Sequence, residues 1–199
     1  MSVEVRRGYA KGRAKRREII DQATVMFGDV GYRGASLREI AARCGISHPG
    51  LLHHFPTKES LLLAVLEHRD EADRAAVGVE DPDGVTGLRR LVDLVARNTG
   101  RRGIVELYAV LSAEATSADH PAHDYFRDRY RQALLATRTA YGHAFEAGAL
   151  REGVDPAVAG AELIAVMDGL QVQWLLDDGA TDMAGIVRAH VQAHLTVPL

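Results

Sequence analysis

Cysteine is nearly absent from this sequence: Cys44 is the single thiol in 199 residues. No disulfide can form within the chain, and a reducing, cytoplasmic setting is the expectation. No stretch approaches the roughly 20 apolar residues of a membrane span. The basic N-terminus is not followed by the apolar run that marks a secretion signal, so a soluble chain with no membrane partner is expected. Also missing are alternating strand-like runs bounded by turn residues, internal repeats and low-complexity tracts, which leaves an all-α fold. There is no serine or cysteine nucleophile motif, no phosphate-cradling glycine loop and no zinc-helix motif. Neither an enzyme nor a cofactor is expected. A chain of this length can bury roughly 70% of the surface its unfolded form exposes, so stability needs no staples.

The net charge of −3 conceals a division. Residues 1 to 60 hold 11 Lys and Arg against 6 Asp and Glu, a net of +5, whereas residues 61 to 199 hold 13 against 21, a net of −8. A basic first third on an acidic remainder lets only one end approach a polyphosphate. Arg6, Arg7, Lys11, Arg13, Lys15, Arg16 and Arg17 crowd the start, with Gly8 and Gly12 discouraging order. Residues 1–14 are read as a flexible basic arm that either lies along phosphates, enters a minor groove, or remains a solvated tail.

A helix is expected from about Lys15 to Val30, with Ile20, Ala23, Phe27 and Val30 at three- and four-residue steps. Ser36 to Lys58 then reads as two short helices at a fixed turn followed by the start of a third. Ser36 and Glu39 stand in capping-box spacing, and Leu37, Ile40 and Ala41 share the inner face. Gly45 can take the left-handed conformation that ends a helix, and Ile46 can plug the corner. Ser47 caps the second helix, Pro49 falls in its first turn where a missing amide is tolerated, and Leu51 with Phe55 forms its buried side. His48, Gly50, Leu52 and His53 are left outward on a helix of about two turns, the size that enters a major groove. Thr57 caps the next helix and places Lys58 at its beginning.

Ala41-Ala42-Arg43-Cys44-Gly45-Ile46-Ser47, followed by Leu51-Leu52-His53-His54-Phe55-Pro56-Thr57-Lys58-Glu59-Ser60-Leu61-Leu62, resembles the TetR/AcrR family of bacterial transcriptional regulators. The likeness includes Ile19, Ala23, Phe27, Gly31 and Tyr32, and covers residues 15 to 62 by motif and the rest by length and helix order. Three residues before Phe55, where the family commonly carries tyrosine, this sequence has Leu52. The resemblance implies a helix-turn-helix DNA-binding domain over residues 15–60 and a helical effector-binding and dimerisation domain over residues 61–199. Its expected partners are a palindromic double-stranded DNA operator, a small-molecule effector and a second copy of the chain. The expected function is that of a ligand-responsive regulator, a repressor, in which the effector shifts the helix begun at Thr57. Two rivals are a DNA-organising protein without effector and a helical metal-dependent hydrolase.

The expected DNA-binding set is Ser36, Arg38, Ser47, His48, Pro49, Gly50, Leu52, His53 and Lys58, with Ser47 and Lys58 positioning by phosphate contact. His54 either packs locally or touches DNA, and Cys44 is a small buried filler. In the body, Gly78 and Asp81-Pro82 break the chain before helices at about 85–99, 104–118 and 120–147. Asp155-Pro156 starts a helix that is apolar nearly all round, and Thr181 caps the last one. Excess apolar surface on these two helices implies a symmetric partner, with Gly160, Ala161 and Ala165 permitting close approach from outside. An effector pocket, implied by the resemblance, takes as its wall Tyr108, Leu111, Tyr130, Tyr141, Asp168, Gln171 and Trp174. Asp168 stands out, because a buried carboxylate amid apolar neighbours needs a donor or a cation. His120, His123 and Asp124 suit a helix start better than a metal, since their spacing matches no zinc pattern.

Overall fold

The computed structural model describes residues 3–77 and 84–199, with side chains over 10–75 and 84–199. Gly78, Asp81 and Pro82 lie outside the described residues. The chain divides into two compact units, Met1–Asp70 and Glu71–Leu199. All regular structure among the described residues is helical apart from one isolated antiparallel bridge between Leu150 and Leu195.

The first unit contains α1 (Val3–Gly34), α2 (Leu37–Arg43), α3 (His48–His54) and the first part of α4 (Lys58–Val77). Its buried side chains include Ile19, Ile20, Ala23, Met26 and Phe27 of α1, Ile40 and Ala41 of α2, Cys44, Leu51 and Phe55, and Leu61, Leu62, Val65 and Leu66 of α4. Three local expectations need correction. α1, expected to start at about Lys15 after a flexible arm, is already helical over residues 3–14: Ala10, Lys11, Arg13 and Ala14 are good helix formers, and extending an anchored helix past glycines at about 1 kcal/mol each is easier than starting one. Val30, expected inward, is 56% exposed, because the helical path breaks at the next residue, Gly31 (φ 72°). Ser36 stands at the N-cap of α2, but its hydroxyl makes no cap bond; Glu39 is held instead by Arg43 one turn on, at 3.1 Å. The other two caps form. Ser47 Oγ accepts the Gly50 amide at 3.2 Å, and Thr57 Oγ1 accepts the Ser60 amide at 3.1 Å while Ser60 Oγ receives the Thr57 amide.

The second unit contains α5 (Val85–Asn98), α6 (Arg102–Glu114), α7 (His123–Glu146), α8 (Pro156–Leu176) and α9 (Met183–His194). α7 packs along α8, α5 against α9 and α7, and α6 against α8. Asp155 accepts the amides of Ala157 and Val158 and so starts α8 with a proline in its first turn. The cap of α9 is Asp182, which accepts the Gly185 amide at 2.9 Å. Thr181, the expected cap, spends its hydroxyl on Asp177. The seam between α7 and α8 runs through Gly160, which is buried against its own chain rather than open to a partner: a Cβ there would lie 2.9 Å from the Arg138 amide nitrogen. Thr137, the buried polar residue of this seam, donates to the Gly160 carbonyl at 3.1 Å.

α8 presents two faces at helical spacing. Ala159, Leu163, Leu170 and Trp174 are buried in the unit, and Val158, Ala161, Ala165, Val172 and Leu176 form an exposed stripe on the other side, with Leu176 81% exposed and Val158 55%. That is why the helix reads as apolar all round.

Gly84, just before α5, has φ 69° and lies so close to α7 that a Cβ would stand 2.2 Å from the Ala140 carbonyl oxygen and 2.4 Å from the Ala144 amide nitrogen. Backbone on both sides leaves nothing able to yield. Gly84→Ala is expected to destabilise the fold by about 3 kcal/mol or more. Gly142→Ala, inside α7 with open space around it, should stabilise by about 0.5–1 kcal/mol. Urea unfolding of the two variants beside the parent measures both signs.

Candidate nucleic-acid interface and effector site

α3 is seven residues long and is held by its caps and by two side chains. Leu51 and Phe55 are fully buried, and the guanidinium of Arg16 covers the Phe55 ring at 4.6 Å. With that side fixed inward, Ser47, Pro49 and His53 are exposed and His48, Gly50, Leu52 and His54 half-buried. His53 and His54 meet edge to face, 5.7 Å apart. Arg38 on α2 and Ser36 before it are exposed. This face offers imidazole donors and acceptors, hydroxyls and one guanidinium. Such groups are of the kind that bond base edges and phosphate oxygens, and Leu52 offers apolar surface where the resemblance leads one to look for a phenol.

Lys58 has a role inside the chain. Its ammonium donates to the Arg33 carbonyl at 3.1 Å and stands 4.7 Å from the centre of the Tyr32 ring. Burial holds its pKa below the usual lysine value. Tyr32 donates its hydroxyl to Glu59 at 3.2 Å, and burial, with Glu59 beside it, pushes its pKa up to about 12. The start of α4 is thereby fastened to the end of α1. Cys44 is held on two sides: its thiol is buried against the Glu18 carbonyl, and Lys15 donates to the Cys44 carbonyl at 3.1 Å.

The expected effector wall divides into two groups. Tyr130 donates to Asp168 Oδ2 at 2.9 Å; burial raises the pKa of Asp168, the hydrogen bond from Tyr130 opposes that rise, and Tyr130 itself is pushed up to about 12, chiefly by burial. Tyr108 shares a hydrogen bond of 3.1 Å with Tyr125 and packs edge to face on Phe126, with Arg129 4.8 Å above its ring. Leu111 is buried and Gln171 half-buried. Tyr141 and Trp174 are elsewhere, in the core cluster with Leu88, Leu163 and Val187; Tyr141 bonds His194 at 3.1 Å. Tyr125 and Arg129 were missed by the sequence reading. Their signal was spacing, since 125, 126, 129 and 130 lie on one side of a helix.

His120, His123 and Asp124 are each engaged locally. His120 Nδ1 accepts the Ala122 amide, His123 Nδ1 bonds the Ala115 carbonyl at 2.8 Å, and Asp124 pairs with Arg127 at 2.7 Å. They organise the turn between α6 and α7.

A profile described as "Bacterial regulatory proteins, tetR family" matches residues 19–65, and one described as "BetI-type transcriptional repressor, C-terminal" matches residues 86–196. The HTH-type transcriptional repressor KstR2 of Rhodococcus jostii (strain RHA1) is 30% identical over 127 residues, 64% of this chain and 55% of that one. The A-factor receptor protein of Streptomyces griseus is 26% identical over 176 residues, 86% of this chain and 59% of that one. The chain thus spans less than two thirds of the length of these two relatives. The crystal structure of a TetR transcription regulator from Haloarcula marismortui ATCC 43049 superposes with a TM-score of 0.81 at 18% identity, covering 92% of this chain and all of that one.

A carboxyl whose pKa is raised by folding binds its proton more tightly in the folded state. Its environment therefore favours folding most at low pH, and that advantage is lost as pH rises through the folded pKa. Asp168→Asn keeps an acceptor for Tyr130 and removes the buried charge. The variant's thermal midpoint should exceed the parent's at pH 7, and the gap should close as the pH falls below the carboxylate range. Thermal scans across that range measure it.

Proposed function

Since the chain belongs to the TetR family of bacterial regulatory proteins, we propose that it is a DNA-binding transcriptional regulator without enzymatic activity, a cytoplasmic homodimeric repressor released from a palindromic operator by a small-molecule effector. The observation that carries the reading is α3: its apolar side is committed to the core, which leaves Ser47, His48, Gly50, Leu52 and His53 for the major groove on the basic unit. Ser36 and Arg38 take phosphates beside it. The hydroxyl of Ser36 supports this assignment, because its helix-capping bond is not made. Lys58 acts first as a fastener of α4 and only secondarily as a phosphate contact. No helix of the described residues is long and apolar enough to cross a membrane.

The exposed stripe on α8, together with Ile186 of α9 at 43% exposure, supports a two-fold interface of four helices. Such symmetry requires half-sites about one DNA turn or a multiple apart. The cluster of Tyr108, Tyr125, Arg129, Tyr130 and Asp168 is the proposed effector site, and α4, which begins in the first unit and ends in the second, is the proposed link. The effector need favour the DNA-incompetent state by only about 1–3 kcal/mol, a factor of roughly 5 to 150.

The tests are binding titrations on footprinted operator and on scrambled duplex at several salt concentrations. Arg38→Ala should weaken binding to both duplexes and flatten the salt dependence by about one phosphate, a slope change near 0.9. His53→Ala should instead change the ranking of operator variants by about 1–3 kcal/mol at the affected base pair. A parent protein that binds both duplexes equally would be a DNA-organising protein, and the proposal would fall. Once an effector is found, operator DNA must weaken its binding by the factor by which it weakens DNA binding; equal effector affinity with and without operator rejects the switch.

A further inference from the structure

Three groups that the regulatory reading leaves unused converge between α8 and α9. His190 and His194 stand one turn apart on α9, so their imidazoles leave the helix on the same side, and Glu162 of α8 meets them. One ligand-capable atom of each lies within 4.8 Å of the other two, and among the described residues this is the one such group of three. The two imidazoles are 4.8 Å apart, edge to face, and His194 Nε2 is 3.9 Å from Glu162 Oε2. His190 Nε2 is buried and has no hydrogen-bond partner. A buried polar atom left unpaired costs about 1–3 kcal/mol, so its retention calls for an explanation.

His194 is held from behind. Its Nδ1 lies 3.1 Å from the hydroxyl of Tyr141, a fully buried ring packed edge-on against the imidazole. Its carbonyl accepts the Arg151 amide at 2.9 Å, beside the Leu150–Leu195 bridge. With Nδ1 protonated and donating to the phenol oxygen, Nε2 presents its lone pair on the side of Glu162. An outer hydrogen bond of this kind fixes the tautomer and orientation of metal-ligating histidines.

We propose that Glu162, His190 and His194 bind a divalent first-row transition-metal ion, with Zn²⁺ the best fit, and that the ion clips α8 to α9. Imidazole nitrogen suits zinc and its neighbours, whereas magnesium and calcium take oxygen ligands. Two histidines and a carboxylate with a fourth position open to water is an established zinc donor set. Tetrahedral Zn–N bonds of about 2.0–2.1 Å would set the ligand atoms roughly 3.3 Å apart. Rotation of Glu162, whose side chain is 53% exposed, brings its carboxylate toward the imidazoles, and a small turn of the His190 ring closes the remaining gap.

The experiment uses the full chain without an affinity tag, stripped with chelator and then titrated with Zn²⁺ by calorimetry, and with Co²⁺ by visible absorption. One ion per chain is expected, with a tetrahedral cobalt spectrum and a thermal midpoint that rises with Zn²⁺. His190→Gln and Glu162→Gln should each weaken binding by about tenfold or more and abolish the metal-dependent rise in midpoint. Glu162 is exposed, so its substitution leaves the fold intact and keeps the test decisive if His190→Gln fails to fold. No saturable binding, or binding unchanged in Glu162→Gln, overturns the proposal.

Discussion

Seven residues are too few to hold a helix in water, since nucleation costs more than two turns return. α3 exists because Leu51 and Phe55 are drawn into a core built from three other helices, and because Ser47 takes up one of its unpaired amides. The outward face is thus a consequence of the inward one: with positions 51 and 55 buried, helical geometry leaves 48, 49, 52 and 53 toward solvent. The pin from Lys58 to the Arg33 carbonyl and the Tyr32 ring serves the same end, because α4 supplies Leu61, Leu62, Val65 and Leu66 to that core.

The second unit solves the opposite problem, a helix with too much apolar surface. α8 buries one side against its own chain through small residues at the crossings, where Gly160 meets Thr137 and Arg138. Close approach there consumes a residue that the sequence offered for an external partner. The exposed stripe from Val158 to Leu176 uses different positions, at spacings of three, four and seven, so intrachain packing and the proposed dimer contact do not compete for the same side chains.

Local signals in the chain were read well where one residue decides the outcome. Ser47, Thr57 and Asp155 cap the helices they precede, and Leu51 and Phe55 are buried. The misses fall where two candidates compete or where partners are distant in sequence. Asp182 displaces Thr181 as a cap, since a carboxylate one residue nearer the helix receives the amide. Glu39 prefers Arg43 to the amide of Ser36. The effector wall was drawn from amphipathic residues on apolar helices, a criterion that does not separate Asp168, bonded to Tyr130, from Trp174, packed in the core. His190 and His194 carry an i,i+4 signal, but Glu162 lies 28 residues away from the nearer of them, and only the packing of α8 on α9 unites the three.

Cys44 is sealed in the first unit, 3% exposed, with burial pushing its thiol pKa up. Thiolate is the reactive form, so an alkylating reagent must wait for the unit to open. The chain therefore carries its own gauge: the rate of labelling at this one sulfur follows the fraction of time the first unit stands open, and becomes its opening rate where the reagent outpaces reclosing. Comparing that rate with and without a duplex would report how far DNA tightens the unit, with no foreign dye attached.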